Sequence, residues 1–151
     1  MTKKLLDTNI YIDLFFDPDS YDEIFRSEGH IYLSAVVLME LLAGAHSRGQ
    51  KNNVYDLRDL FRRLGRITAP TTRDFELAGE ILAKLQSQKG YNLKKAESIA
   101  SDCLIAASAR SIGAIVYTQN RKDFQAIKEV FDFQVTYISA KADGLQIDDS
   151  T

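Results

Sequence analysis

Cysteine occurs once in this 151-residue chain, histidine twice and tryptophan not at all. The lone Cys103 excludes an intramolecular disulfide and fits a reducing compartment. It stands in a small-residue helical pattern, where a plain core thiol is expected rather than a reactive one. Long hydrophobic runs are missing as well. No stretch approaches the roughly 18 apolar residues that span a bilayer. The charged opening Met1-Thr2-Lys3-Lys4 leads into Leu5-Leu6, but Asp7 ends that apolar stretch too early for a secretory signal. A soluble, cytoplasmic protein is expected. The chain has no His-Glu-x-x-His motif, no paired-cysteine metal site and no Gly-x-Ser-x-Gly nucleophile turn. Residues Gly44 to Lys51 fail as a phosphate loop, because Gln50 stands where the lysine belongs and a helix precedes them. Neither sign of charge is in large excess. A net charge of -2 argues against coating nucleic acid by bulk attraction, yet it permits a local basic groove.

What is present reads as one ordinary globular domain, 45% hydrophobic and 26% charged, long enough to bury its own core. Short apolar runs alternate with longer helical patterns, the mark of an α/β fold on a parallel sheet. Lys4–Leu6, Ile31–Leu33, Ile115–Thr118 and Val135–Ile138 read as strands, and Ile67 as part of a minor one. Ser34 is placed to cap a helix that Gly44 stops. Val54, Leu57, Phe61 and Leu64 recur at helical spacing. So do Phe75, Ala78, Ile81, Leu82 and Leu85, between a cap at Thr71 or Thr72 and Gly90. A further helix opens at Ser98 or Ser101 and ends near Gly113. Residues 1–140 form the expected domain, and 141–151 a polar, frayed tail.

Four acidic residues break this hydrophobic pattern. Asp7 closes Leu5-Leu6, Glu40 lies within Val36 to Leu42, Asp102 interrupts Ile99 to Ala107, and Asp123 follows Ile115–Thr118. A buried carboxylate without a partner is costly. Several of them converging with little basic charge nearby call for a cation from outside the chain. For oxygen-only ligands that cation is Mg²⁺ or Mn²⁺. Each acid also has an ordinary explanation. Asp7 could cap the next helix, Glu40 could pair with an arginine, Asp102 could cap a first turn, and Asp123 could be a solvated loop acid beside Arg121 and Lys122. Asn120 offers an amide oxygen that could ligate or orient, without adding charge.

The four segments in series resemble the motifs of PIN-domain nucleases: Leu5 to Asp13 the first, Ser34 to Gly44 the second, Asp102 to Ala109 the third and Thr118 to Phe124 the fourth. Order, spacing and length agree over about residues 3 to 138, and the likeness is greatest to the VapC-type toxins of toxin–antitoxin pairs. The resemblance implies a three-layer α/β fold, with a central parallel sheet of four to five strands flanked by helices. It also implies a Mg²⁺- or Mn²⁺-dependent endoribonuclease, with Asp7, Glu40 and Asp102 as an acidic triad. Asp123 or Asn120 fills the fourth position, Asp123 being preferred on charge. Asp13 is expected to support the first helix instead of binding metal. A VapB-type antitoxin whose arm enters the acidic groove, and a homodimer, are implied partners.

Chemistry of this kind needs no histidine, and His30 and His46 lie outside all four segments. RNA is expected to meet Arg121 and Lys122, which adjoin the fourth segment. Arg58, Arg62, Arg63, Arg66 and Lys94-Lys95 are weaker candidates that serve equally as solvated faces. Two other readings stand beside the nuclease. One is an inert module of the same fold that binds RNA or protein. The other is an aspartyl-phosphate phosphatase using Asp7, against which Asn9 replaces the expected second aspartate.

Overall fold

The computed structural model describes residues 1–96 and 98–139 together with strand Ile147–Asp148. Five parallel strands form the sheet: β1 (Lys3–Leu6), β2 (His30–Ser34), β3 (Ile67–Thr68), β4 (Ala114–Thr118) and β5 (Gln134–Ile138). A two-residue β6 (Ile147–Asp148) pairs antiparallel with β5, giving the order β3-β2-β1-β4-β5-β6. The rest of the expected tail, and residues 97 and 140, lie outside the described residues. Leu5, Leu6, Leu33 and Val116 are buried in the core, as expected of central strands covered on both faces.

Seven helices flank the sheet among the described residues: α1 (Thr8–Phe16), α2 (Asp22–Arg26), α3 (Ala35–Ala43), α4 (Arg48–Arg63), α5 (Thr72–Lys89), α6 (Ile99–Ile112) and α7 (Arg121–Val130). The expected α3 boundaries hold, since Ser34 accepts the Val36 N–H and Gly44 follows the last turn. Thr71 caps α5 with Asp74 in a reciprocal capping box, and Gly90 ends it in the left-handed region. Both α2 and α7 go beyond the sequence expectations, which assign no element to Asp22–Arg26 and offer a solvated loop as one reading of Asp123. They are short, and tertiary packing of Ile24, Phe124 and Ile127 decides them. Helix α6 is enclosed almost all round, with Cys103, Ile105, Ala106, Ala107 and Ala109 buried. Cys103 is the plain core thiol expected, held far from reactivity at a pKa of about 12 by burial and by the nearby Asp102 and Asp123 charges. Among the described residues no helix is long and apolar enough to cross a membrane.

Two contacts fasten β1 to the segments beside it, one to α2 and one to the start of β2. The Lys4 ammonium is buried, donating to the Ile24 carbonyl at 2.8 Å and the Ser27 carbonyl at 3.3 Å. The His30 N–H donates to the Thr2 carbonyl at 2.8 Å. Gly29 precedes that bond at φ +118°, and a Cβ there would lie 2.6 Å from the Thr2 carbonyl oxygen. Gly29→Ala therefore combines backbone strain with a clash against main chain. It should cost about 2–3 kcal/mol in denaturant unfolding; a cost of a few tenths would show that β1 and β2 separate freely.

Candidate active site

The acids approach one another where the chain changes direction across the sheet. β2 and β3 extend to one side of β1, while β4 and β5 extend to the other. The β1/β4 boundary is thus a topological switch point, and a crevice opens beyond the carboxyl ends of its strands. Asp7 leaves β1 at that end, and Asn120 and Asp123 leave β4. Glu40 arrives on α3 and Asp102 in the first turn of α6.

Neutral donors set the position of each carboxylate. Asp7 does cap α1, its Oδ1 accepting the Thr8 N–H at 2.8 Å, but it is also part of the acidic group. Its Oδ2 accepts from the Thr118 hydroxyl at 2.7 Å, and that hydroxyl accepts the Asn120 N–H at 2.9 Å. Glu40 is half-buried, and its Oε1 accepts from the Thr8 hydroxyl at 2.8 Å. Asp102 is buried and accepts from the Asn120 side-chain amide at 3.3 Å. The same amide donates to Asp123 at 3.0 Å, while the Asn120 oxygen accepts the Asp123 N–H at 3.3 Å as the cap of α7. In this arrangement Asn120 turns its donors toward the acids and spends its oxygen on the helix. Tyr91, from the α5–α6 connection, donates to Asp123 at 2.7 Å.

The sequence reading passed over Thr8, Thr118 and Tyr91 as site residues. The two threonines lie inside the recognised segments, and Thr8, directly after Asp7, is the one whose hydroxyl adjoins an acid in sequence. Nothing local marks Tyr91, which is 32 positions from Asp123. Asp13 accepts from Gln119 at 2.7 Å and from the Tyr21 hydroxyl, tying α1 to the loops beside it. Arg121 and Lys122 are exposed in the first turn of α7, Arg121 with its guanidinium 4.5 Å from the Tyr137 ring centroid. Arg58 pairs with Asp59 and lies over Tyr55.

No ion pair among the described residues reaches Asp7, Glu40, Asp102 or Asp123. Their charges act on one another instead. Asp102 is raised to a pKa of about 9, first by burial and then by Asp7, Glu40 and Asp123. Burial also raises Asp7, outweighing its bonds from Thr118 and Thr8. Glu40 rises through burial, opposed by the Thr8 bond and reinforced by the Asp7 charge. Hard, uncompensated oxygens of this kind suit a divalent cation. Among the described residues, however, no three such side chains stand close enough together to hold a metal ion as they are. The donor chemistry fits a metal; the shell is not preassembled.

The raised Asp102 sets a pH dependence. Without metal the folded chain keeps a proton on Asp102 up to about pH 9, the unfolded chain only to about pH 4. The folded state binds more protons between those values, so the stability is complete below about pH 4 and is lost as pH rises toward 9. In chelator, the melting temperature should fall from pH 5 to pH 9, and Asp102→Asn should flatten that fall and melt higher at pH 8. An equal slope in parent and variant would show that Asp102 is not the repelled group.

Comparison with known proteins agrees with this geometry. A family model described as the PIN domain matches residues 4–130. Among solved structures, a chain of DNA-bound VapBC from Salmonella typhimurium is 26% identical with a TM-score of 0.66, over 89% of this chain and 97% of that one. VapBC2 from Rickettsia felis, bound to a promoter DNA fragment, is 25% identical with a TM-score of 0.62, over 89% and 97%. VapBC-1 from nontypeable Haemophilus influenzae is 22% identical with a TM-score of 0.65, over 90% and 98%, a likeness of fold. No curated protein matches the sequence. The chain belongs to the PIN domain family, and the members it is built like are the VapC-type toxins.

Proposed function

We propose that this protein is a Mg²⁺- or Mn²⁺-dependent endoribonuclease that hydrolyses RNA phosphodiester bonds as the toxin of a VapBC-type pair. PIN domains are generally nucleases, which supports the hydrolysis of nucleic acid. The observation that carries the finer reading is Asp102, buried among three other carboxylates with no basic partner. All four cannot be ionised at neutral pH unless positive charge is supplied from outside.

Asp7 and Asp102 would hold the ion, with Glu40, Asp123 and Asn120 completing or orienting its surroundings. A divalent ion there would polarise water and offset the charge that builds on the phosphate. The chain's own contribution is placement. Thr118 fixes Asp7, Thr8 fixes Glu40 so that it can orient the attacking water, and Tyr91 fixes Asp123. Arg121 and Lys122 would meet the flanking RNA from the first turn of α7. Hydrolysis by water leaves a 5′-phosphate, unlike attack by the RNA's own hydroxyl.

An antitoxin fits a second feature. An apolar groove between α1, α3 and α4 is lined by Ile12, Phe15, Phe16 and Val54 and reaches Glu40. Phe16 is 86% exposed, a cost that an apolar partner segment would remove. A basic residue following that segment would enter the acidic crevice and take the place of the metal's charge. A homodimer and a cytoplasmic setting complete this reading.

Asp7→Asn and Asp102→Asn should each lower RNA turnover by about 100-fold or more, beyond the loss usual for residues that only orient ligands. Sequenced products should carry 5′-phosphates, and excess chelator should stop the reaction. Millimolar Mg²⁺ or Mn²⁺ should raise the melting temperature of the parent at pH 8 but leave Asp102→Asn unmoved. Cleavage that continues in chelator, or parent rates in both variants, would overturn the metal-site assignment; no cleavage by the parent with either metal would leave an inert binding module as the better account.

A further inference from the structure

Beside the acids lies an open groove of about 580 Å³ whose wall, apart from Lys122 and Asp123, lies outside the four recognised segments. It runs between the α5–α6 connection and the first turn of α7, lined by Lys89, Tyr91, Asn92, Lys95, Lys122 and Asp123. Asp123 belongs to both the groove and the acidic group, and the Tyr91 hydroxyl bonds it from the groove side at 2.7 Å. Lys89 is taken up in an ion pair with Glu129. Lys95 and Lys122 are exposed and make no ion pair with a carboxylate among the described residues. A second groove differs: Asn9, Gln119 and Asn120 line it with Arg121, whose guanidinium lies over Tyr137.

We propose that the Lys95–Lys122 groove seats backbone phosphates of single-stranded RNA on one side of the scissile bond, with Tyr91 joining it to Asp123. This deepens the nuclease reading and rests on it. A chain of net charge -2 with four clustered acids repels a polyanion unless cations stand next to the reacting centre. Two exposed lysines lining a groove that also holds a site acid meet that need, and do so without reading sequence. Lys95 lies on a connection between helices, so its contribution comes from the fold and not from the motif that holds Lys122.

The test is RNA binding, not cleavage, so it stays readable whether or not the parent proves to be a ribonuclease. A fluorescein-labelled single-stranded RNA oligonucleotide is titrated in chelator with Asp102→Asn protein, alone and with Lys95→Ala and Lys122→Ala added. Expected is about a 10-fold loss of affinity at low salt. The log–log salt slope should also shrink by about 0.7 for each phosphate contact removed. Arg62→Ala/Arg63→Ala in the same background should bind as the starting protein does. Because all four side chains are exposed, unchanged melting temperatures verify that the fold is intact. Parent-like affinity and salt slope in the lysine variant, a larger loss in the arginine variant, or no RNA binding at all would each overturn the proposal.

Discussion

Repulsion among carboxylates brought together from strand ends and helices is the constraint on which the rest of the site depends. Asp7 and Asp102 are 5% and 3% exposed, and the groups that bond them are neutral: a main-chain N–H, a hydroxyl and an amide. Such donors fix where oxygens sit, but they do not cancel charge. The fold therefore maintains an electrostatic cost that packing elsewhere must offset. Residues that strain the fold in this way are the ones expected to be kept for chemistry.

Burial of an acid is not by itself the sign of a site, and Asp74 shows why. It is 1% exposed, as hidden as any of the four, yet it serves the capping box of α5. Its Oδ2 accepts the Thr71 N–H at 2.9 Å and the Ser111 hydroxyl at 3.3 Å. Lys4 makes the same point with opposite charge, since carbonyls of α2 and its cap enclose its ammonium. What separates Asp102 from these is company: three further carboxylates act on it and no cation does. The distinction lies in what surrounds the group.

Much of the architecture was legible in local pattern. Strands of four or five residues show as apolar runs, and Ser34, Thr71, Gly90 and Gly113 mark helix ends through capping chemistry that depends on near neighbours. Helix α7 was not legible, because its first turn is a polar run, Arg121-Lys122-Asp123, and only the burial of Phe124 and Ile127 stabilises it. Thr8 and Thr118 were visible as residues but not as partners. Tyr91 had no signal, because its bond to Asp123 depends on how the α5–α6 connection lies across α7.

By itself the sequence determined the alternation of strand and helix, the positions of the acids at strand ends and on a helix face, and the absence of histidine from all four recognised segments. These follow from periodicity and residue type, which act over a few positions. Tertiary structure alone decided which acids meet. β4 lies beside β1 although more than a hundred residues separate them, so Thr118 can donate to Asp7 at a separation of 111 positions. Strand order of that kind comes from packing two faces of a sheet, a property of the whole chain that no short window contains.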